Sequence, residues 1–416
     1  METYVVAEYG SLNIKDYVLT EKEKEYLNNM MRLSATPPFK WYEMKNGLYF
    51  EFSSWIGVLE LERVRIVIKP KFNRGFHDVV DMLLFCEDLP LSYEHATMAA
   101  YDSHSLMEMI ARLFVKEVEM ILNKGIVKEY IVEEDNLTCL RGRVDIRQHL
   151  RTNFMTPTKV YCRYDELDTN ILENQVIRMA LEVVKHFSLT KQTMRQINRL
   201  ADEFMMIADP YFSYEWPNFS YHRLNQHYEK AHKLAYYIWK QIYVNQLYQF
   251  QYRSHYSYLI DMNELFEKFV AKLLKKYLPG AAKVHAQRRF KKAITKNGDG
   301  YHDIILDLLV EFPDKDPIVL DTKYKQYSKY KVENADIYQL AFYAQFVTKS
   351  SNHYKAIIVH PEYAGEDACE EVIDLLPGTF HQGKLFVKPV SIEKVLAAVK
   401  RKDIEFLQKQ AEKLIL

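Results

Sequence analysis

The sequence predicts an α/β chain of the multidomain α+β kind. An N-terminal β-rich module, a helical middle region and a C-terminal mixed sheet flanked by helices are expected in that order. Three observations carry this. Short apolar runs with strand-like alternation cluster before residue 75. Helical periodicity dominates residues 150–255. Beyond 256, strand-like and helix-like stretches alternate. A chain of 416 residues is long enough for two or three cores, and the composition shifts divide it at 1–150, 151–255 and 256–416.

The first region opens with Leu48-Tyr-Phe-Glu-Phe and Trp55-Ile-Gly-Val-Leu-Glu-Leu, followed by Val64-Arg-Ile-Val-Ile-Lys-Pro-Lys-Phe72. Val64, Ile66 and Ile68 fall on one face by alternation, and Pro70, lacking an N–H, should end that strand or leave it at an edge. Helical patterns follow at 76–86 and 104–124, with Gly125 as the stop. In the middle region, helices are expected over 171–187, about 190–207 and about 226–250, with Pro210 and Pro217 marking a loop. Asp168 or Thr169 is the candidate N-cap of the first of these. The last region reads as a helix from Asn263 to Tyr277 closed by Pro279-Gly280, strands at 303–311 and 317–325, a helix at 335–348, and a strand from Lys355 to His360.

Composition narrows the function classes. With 56 basic and 56 acidic residues the net charge is zero, so a nucleic-acid binder of this composition must concentrate its positive charge locally. The four cysteines, Cys86, Cys139, Cys162 and Cys369, form no C-x-x-C pair, which argues against a zinc site or a disulfide framework. There is no signal-peptide pattern and no apolar run of membrane-spanning length, so a cytoplasmic protein without a membrane partner is expected. No G-x-x-x-x-G-K-[ST] occurs, so the chain itself is expected to bind no GTP.

The chemistry-bearing residues lie near the C-terminal end. Asp303 opens the apolar run Asp303-Ile-Ile-Leu-Asp-Leu-Leu-Val, and the run Ile318-Val-Leu ends in Asp321-Thr322-Lys323. If the two strands are neighbours, Asp303 and Asp321 can share a divalent metal. Magnesium needs few carboxylates because it keeps several waters. The carbonyl of Thr322 offers a further ligand. Lys323, on the same side of its strand as Asp321, can position the attacking water or stabilise a phosphorane. Asp336, Gln339 and Tyr343 fall on one helical stripe, from which Gln339 and Tyr343 could face the metal and the scissile phosphate. On the preceding helix, Glu267 flanks the buried face and can reach inward as another ligand, whereas Glu264 lies opposite. Asp307 shares the alternation face of Asp303, so the first acid could be either. The stretch Gln287–Lys296 holds Arg288, Arg289, Lys291, Lys292 and Lys296 and no acid. With Lys325, Lys329 and Lys331, and Tyr324, Tyr327 and Tyr330 among them, it could neutralise DNA phosphates, or be an ordinary solvated surface. Acid–gap–acid-x-Lys followed by Q-x-x-x-Y points to metal-dependent phosphodiester hydrolysis.

These residues resemble the PD-(D/E)xK nuclease superfamily in its Q-x-x-x-Y branch, and the chain is similar to the McrC family of McrBC-type restriction systems. The marks are Ile56-Gly-Val-Leu with Ile66-Val-Ile-Lys-Pro-Lys, Leu140-Arg-Gly-Arg143, Tyr164–Asn174, Asp261-Met-Asn-Glu-Leu-Phe-Glu267 and Asp321-Thr-Lys-Tyr-Lys325. His302 stands where the family motif usually has proline. The resemblance implies a Mg²⁺-dependent DNA endonuclease, with Mn²⁺ as a substitute. It also implies double-stranded DNA as substrate, an McrB-like AAA+ GTPase hexamer as partner, and modified cytosine as the signal, sensed by that partner. Double-strand cleavage would call for two copies of the nuclease domain. The segment Trp55–Phe72 is the candidate ring contact. In Leu140-Arg-Gly-Arg143, the arginines could touch phosphates or the partner, or pair with Asp145 or Asp165 around a turn at Gly142. The alternatives to the McrC-like function are a stand-alone DNA nuclease and an assembly subunit that mainly stimulates a partner GTPase.

Overall fold

The computed structural model describes residues 1–32, 36–91, 106–155, 158–213, 215–245, 257–297, 299–325, 327, 331–348, 353–363, 369–378 and 382–416. The chain forms two compact units. One combines Met1–Leu106 with Ser257–Leu416 and the other is Met107–Tyr256. This differs from three consecutive segments, and one strand gives the reason. Tyr258–Asp261, which follows the second unit in sequence, pairs antiparallel with Trp55–Glu60 and so joins the N-terminal sheet. That sheet runs Glu2–Ala7, Val64–Lys69, Trp55–Glu60, Tyr258–Asp261. Gly57 makes the pairing possible. Its φ is +132°, and a Cβ there would stand 2.1 Å from the Tyr258 carbonyl oxygen. A smaller sheet of Ser11–Lys15, Gly47–Phe52 and Phe39–Met44 completes the module. Val64–Lys69 ends just before Pro70, but it is an interior strand.

The same unit holds a six-stranded mixed sheet in the order Lys283–Lys296, Asp299–Glu311, Ile318–Thr322, His353–Pro361, Gln382–Val390, Glu371–Leu375. The first two pairings are antiparallel and the next two parallel. The central strands are apolar runs buried on both faces, such as Ala356–Val359. The helix Met262–Tyr277 is started by Asp261, whose side chain accepts from the Asn263 N–H, and carries Lys275 and Lys276 in its last turn. The helix Asn334–Val347 packs Leu340, Ala344 and Val347 onto the sheet core with Ile304, Leu306, Val319 and Ile358.

The second unit holds the helices Leu172–Val184, Lys191–Met205 and Glu229–Asn245; residues 246–250 of the expected helix lie outside the described residues, as do 104 and 105. It is less helical than the periodicity suggests. Glu129–Leu137, Val160–Asp168 and Arg143–Val144 form a three-stranded sheet. Glu129–Leu137 has no buried residue, so no apolar alternation marks it, and the ladder with Val160–Asp168 holds it. Asp168 therefore ends a strand instead of capping a helix, and Ile171 occupies the N-cap position.

Candidate active site

The register of one antiparallel pair assembles the site. Leu308 faces Leu320 across the ladder, and one step further Asp307 comes beside Asp321, where the Thr322 N–H reaches Asp307 Oδ2 at 3.4 Å. Asp321 is 5% exposed, deep for an acid with another acid at its side. Burial raises both carboxyls above the ordinary range. The Asp307 charge pushes Asp321 further up, and Lys323 pulls both back. Lys323 Nζ lies 3.0 Å from Asp321 Oδ2 and 3.4 Å from Asp336 Oδ1. Burial alone would lower the lysine, but the Asp321 charge outweighs it and the amine is held as an ammonium. Its main chain is pinned by Lys323 N–H donating to the Val359 carbonyl at 2.9 Å.

Glu267 comes from the Met262–Tyr277 helix. Burial, and then the nearby charges of Asp307 and Glu264, lift its carboxyl to about 6 against a hydrogen bond from Gln287 Nε2 at 2.5 Å. Glu264, as its helical position requires, pairs with Lys268 at 2.9 Å on the surface.

Asp303 is not brought to this group. It lies four residues back along its strand, accepting from Arg289 Nε and the Lys292 N–H, each at 2.7 Å. The reason is local. The hairpin has a register shift between Phe290 and Ile294, Lys292 takes φ +54°, and Asp303 satisfies the N–H that the shift leaves outside the ladder. The first acid beside Asp321 is therefore Asp307. Gln339 donates to the Tyr343 hydroxyl at 3.1 Å, with Gln339 exposed and Tyr343 packed against the sheet core; no described contact ties either to the acids. Their stripe-mate Asp336 is the one that enters, buried between Lys323 and the Tyr327 hydroxyl at 2.9 Å. Its position in the first helical turn, three residues before Gln339, was the available signal. Gln287, in a left-handed conformation just before the basic run, is the other partner that spacing could not reveal.

The basic residues separate. Arg288, Lys291 and Lys292 are exposed on the hairpin, Arg289 is paired with Asp303, and Lys325 is tied to Glu333 at 2.8 Å and Asp336 at 3.6 Å. Lys329 and Tyr330 lie outside the described residues. Tyr324 and Tyr327 are buried and so offer no stacking surface. Likewise Ile56, Val58, Leu59, Ile66 and Ile68 are core, which leaves little of Trp55–Phe72 for a partner to touch. In the second unit, Gly142 does form a turn (φ +63°), but Arg141 pairs with Glu166 at 3.2 Å and covers the Tyr164 ring, rather than meeting Asp145 or Asp165.

For a metal, the donor set is hard oxygen: the Asp307 and Asp321 carboxylates and the Thr322 carbonyl. Asp321 Oδ2 is buried and, although near Lys323, accepts no aligned hydrogen bond among the described residues. That atom fits a cation. Among the described residues no group of three or more His, Cys, Asp or Glu side chains is placed to hold a metal ion; two carboxylates and a carbonyl suit only an ion that keeps most of its waters, as Mg²⁺ does.

The fold and site define a mixed α/β protein whose largest sheet carries a cross-strand acid pair, Asp321 buried and Asp307 half-buried, beside a lysine. Residues 50–361 match the family described as McrBC 5-methylcytosine restriction system component. The chain belongs to the McrBC family, and the resemblance read from its motifs stands. Among solved structures, it is similar over 97% of its length, and 100% of the other chain, to one from the half-complex of a tetradecameric assembly of Thermococcus gammatolerans McrB AAA+ hexamers with bound McrC. The TM-score is 0.64 at 14% identity, a likeness of fold. A chain of the T. gammatolerans McrBC complex matches over 67% of this chain and 88% of its own, with TM-score 0.49 at 16% identity. Among curated proteins, a stretch of 118 residues is 30% identical to a very-long-chain (3R)-3-hydroxyacyl-CoA dehydratase of Gallus gallus. That stretch is 27% of this chain, and it spans only 33% of that protein's length. No helix among the described residues is long and apolar enough to cross a membrane.

Proposed function

We propose that this chain is the metal-dependent DNA endonuclease subunit of an McrBC-like, modified-cytosine-dependent restriction system, stimulating and activated by a GTP-hydrolysing AAA+ ring. The observation that carries the reading is the meeting of Asp307, Asp321 and Lys323 on adjacent strands of the mixed sheet, in the PD-(D/E)xK pattern with Asp307 as the first acid and with Glu267 near enough to feel the Asp307 charge. Asp307, Asp321 and the Thr322 carbonyl would hold Mg²⁺, which when bound supplies a polarised water and neutralises phosphate charge.

The chain's own residues supply the rest. Lys323, kept as an ammonium, stabilises negative charge growing on the phosphoryl oxygens and does not serve as a base. Glu267, with its carboxyl lifted to about 6, is ionised at pH 7–8 yet basic enough to take a proton from a water beside Asp307. Asp336 fixes the lysine from the far side. Arg288, Lys291 and Lys292 on the exposed hairpin would hold flanking phosphates. The bound McrC of the Thermococcus gammatolerans assembly supports an AAA+ hexamer as partner.

Plasmid cleavage in Mg²⁺ tests the reading. Wild type and Asp321→Ala are compared with and without an McrB-like GTPase and GTP, on methylated and unmethylated DNA. Cutting that requires Asp321, partner, GTP and methylation is the expected result. Wild-type cutting retained by Asp321→Ala would sink the site assignment, and cutting without GTP would make the chain an autonomous nuclease.

A further inference from the structure

Lys323 is fixed to the central strands through its N–H, but the next residue, Tyr324, is held from an unexpected quarter. Tyr324 is 0% exposed, and its hydroxyl donates to Glu8 Oε1 at 2.9 Å, an acid 316 positions away. The neighbouring Tyr9 hydroxyl donates to the Tyr324 carbonyl at 2.5 Å. Both ends of the Tyr324 residue, side chain and main chain, are thus gripped by consecutive residues of the N-terminal module. Phe72, Phe266 and Tyr363 close around its ring, with centroids 6.3, 5.9 and 6.4 Å away.

We propose that Glu8 and Tyr9 are positioning residues for Lys323: by clamping Tyr324 they fix where the lysine ammonium stands between Asp321 and Asp336.

Packing alone does not account for this pair. Glu8 is 1% exposed, receives the Lys71 N–H on the same oxygen at 2.8 Å, and leaves Oε2 buried with no hydrogen-bond partner among the described residues. Tyr9 sits at φ +57°, a conformation non-glycine residues rarely adopt. An apolar contact would hold the module without burying an acid. What the hydroxyl–carboxyl and hydroxyl–carbonyl bonds add is direction, and they add it one residue from the catalytic lysine. The same module also grips the other catalytic element. Ser54 accepts from Asn263 Nδ2 at 2.5 Å and donates to Asp261 at 3.3 Å, at the start of the helix that carries Glu267. Since misplacement of a catalytic group by about 1 Å can cost on the order of a hundredfold in rate, a clamp of this kind bears on turnover.

The inference rests on the nuclease reading for its kinetic test but has a second test that does not. Glu8→Ala and Tyr324→Phe each remove one clamp bond. Glu8→Gln keeps the Oε1 acceptor, a fair neutral replacement because burial lifts the Glu8 carboxyl to about 7. With partner, GTP and Mg²⁺ present, the first two variants are expected to lower kcat on the order of tenfold or more with the KM for DNA unchanged, and Glu8→Gln to stay near wild type. Without DNA or metal, the rate at which a small acylating reagent modifies Lys323, followed by peptide mass spectrometry, is expected to rise in Glu8→Ala and Tyr324→Phe and not in Glu8→Gln. Should Glu8→Ala fail to fold, Tyr324→Phe, which keeps the ring, carries both tests. Unchanged kcat and unchanged Lys323 labelling in a folded variant would overturn the clamp. If wild type never cuts, the nuclease reading fails, while the labelling still decides the clamp.

Discussion

Exchanging Asp307 for asparagine should remove nearly all cleavage, whereas the same exchange at Asp303 should spare the chemical step. The two acids share a strand face but are four residues apart, roughly 13 Å at about 3.3 Å per residue. Two ligand oxygens on one magnesium ion, each about 2.1 Å from it, stand no more than about 4 Å apart. Asp307 stands across the ladder from Asp321, and the Thr322 N–H next to Asp321 reaches it at 3.4 Å, which puts it within range of a shared ion. Asp303 misses it by a wide margin and is engaged with Arg289 and the Lys292 N–H. Losing a metal ligand and half of the acid pair should slow single-turnover plasmid cleavage on the order of a thousandfold, about 4 kcal/mol of activation free energy. Asp303→Asn keeps an oxygen for the Lys292 N–H and gives up only an exposed ion pair. Its melting temperature and single-turnover rate should stay close to wild type, with any change falling on DNA binding. The assay is single-turnover nicking and linearisation with saturating partner, GTP and Mg²⁺. An inert Asp303→Asn beside an active Asp307→Asn would refute the register argument and restore Asp303 as the first acid.

Further outcomes rest on the same contacts. Glu267 and Asp321 have folded-state pKa values raised above their unfolded ones, so between about pH 4 and the raised values the folded chain binds more protons than the unfolded. Their contribution to metal-free stability is therefore greatest below about pH 4 and is lost as pH rises through about 6 for Glu267. The melting-temperature difference between wild type and Glu267→Gln, followed from pH 4.5 to 8, should grow against wild type with rising pH; a flat difference would contradict the burial argument. Asp321→Asn should melt higher than wild type in EDTA at pH 8 while losing cleavage, and Mg²⁺ should raise the melting temperature of wild type only. Gly57→Ala should destabilise the fold by roughly 2–3 kcal/mol in urea titrations, because its Cβ would collide with the Tyr258 carbonyl. Arg288→Ala and Lys291→Ala should each weaken DNA binding evenly across sequences and reduce the salt slope by about one; an unchanged slope would exclude the hairpin from the phosphate path.

What could be read in the sequence tracks how strongly apolar pattern and chemistry mark each element. The strand ending in Asp321-Thr-Lys323 and the helix with Glu267 on the flank of its apolar face were legible because burial on one side forces periodicity. The choice between Asp303 and Asp307 was not, because alternation places both on one face and only the cross-strand register separates them. Gln339 and Tyr343 were chosen for their motif spacing, yet Asp336 on the same stripe makes the contact with Lys323, since a half-buried ammonium draws the nearest acid and an amide has no charge to offer. The sheet in the second unit went unseen because Glu129–Leu137 mixes apolar and charged residues on each face and buries none of them, so no alternation marks it. The division into units was hidden for another reason: it depends on one short strand, Tyr258–Asp261, returning to pair with Trp55–Glu60.

That return connection bears on the chemistry as well as on the fold. The strand Tyr258–Asp261 runs directly into the helix that carries Glu267, and the module it joins also holds Glu8 and Tyr9 against Tyr324. The acid pair on its own is a poor neighbourhood, one buried and one half-buried carboxyl opposed by one lysine, and a flexible surrounding would relieve it by letting the side chains swing out to water. If the clamp proposed above fixes Lys323 from one side and the Ser54 contacts fix the Glu267 helix from the other, that relief is blocked, and the electrostatic conflict would persist until a cation resolved it. On the reading proposed above, the N-terminal module would hold Lys323 and Glu267 in place for a bound cation, and a partner that shifts that module would act on both together.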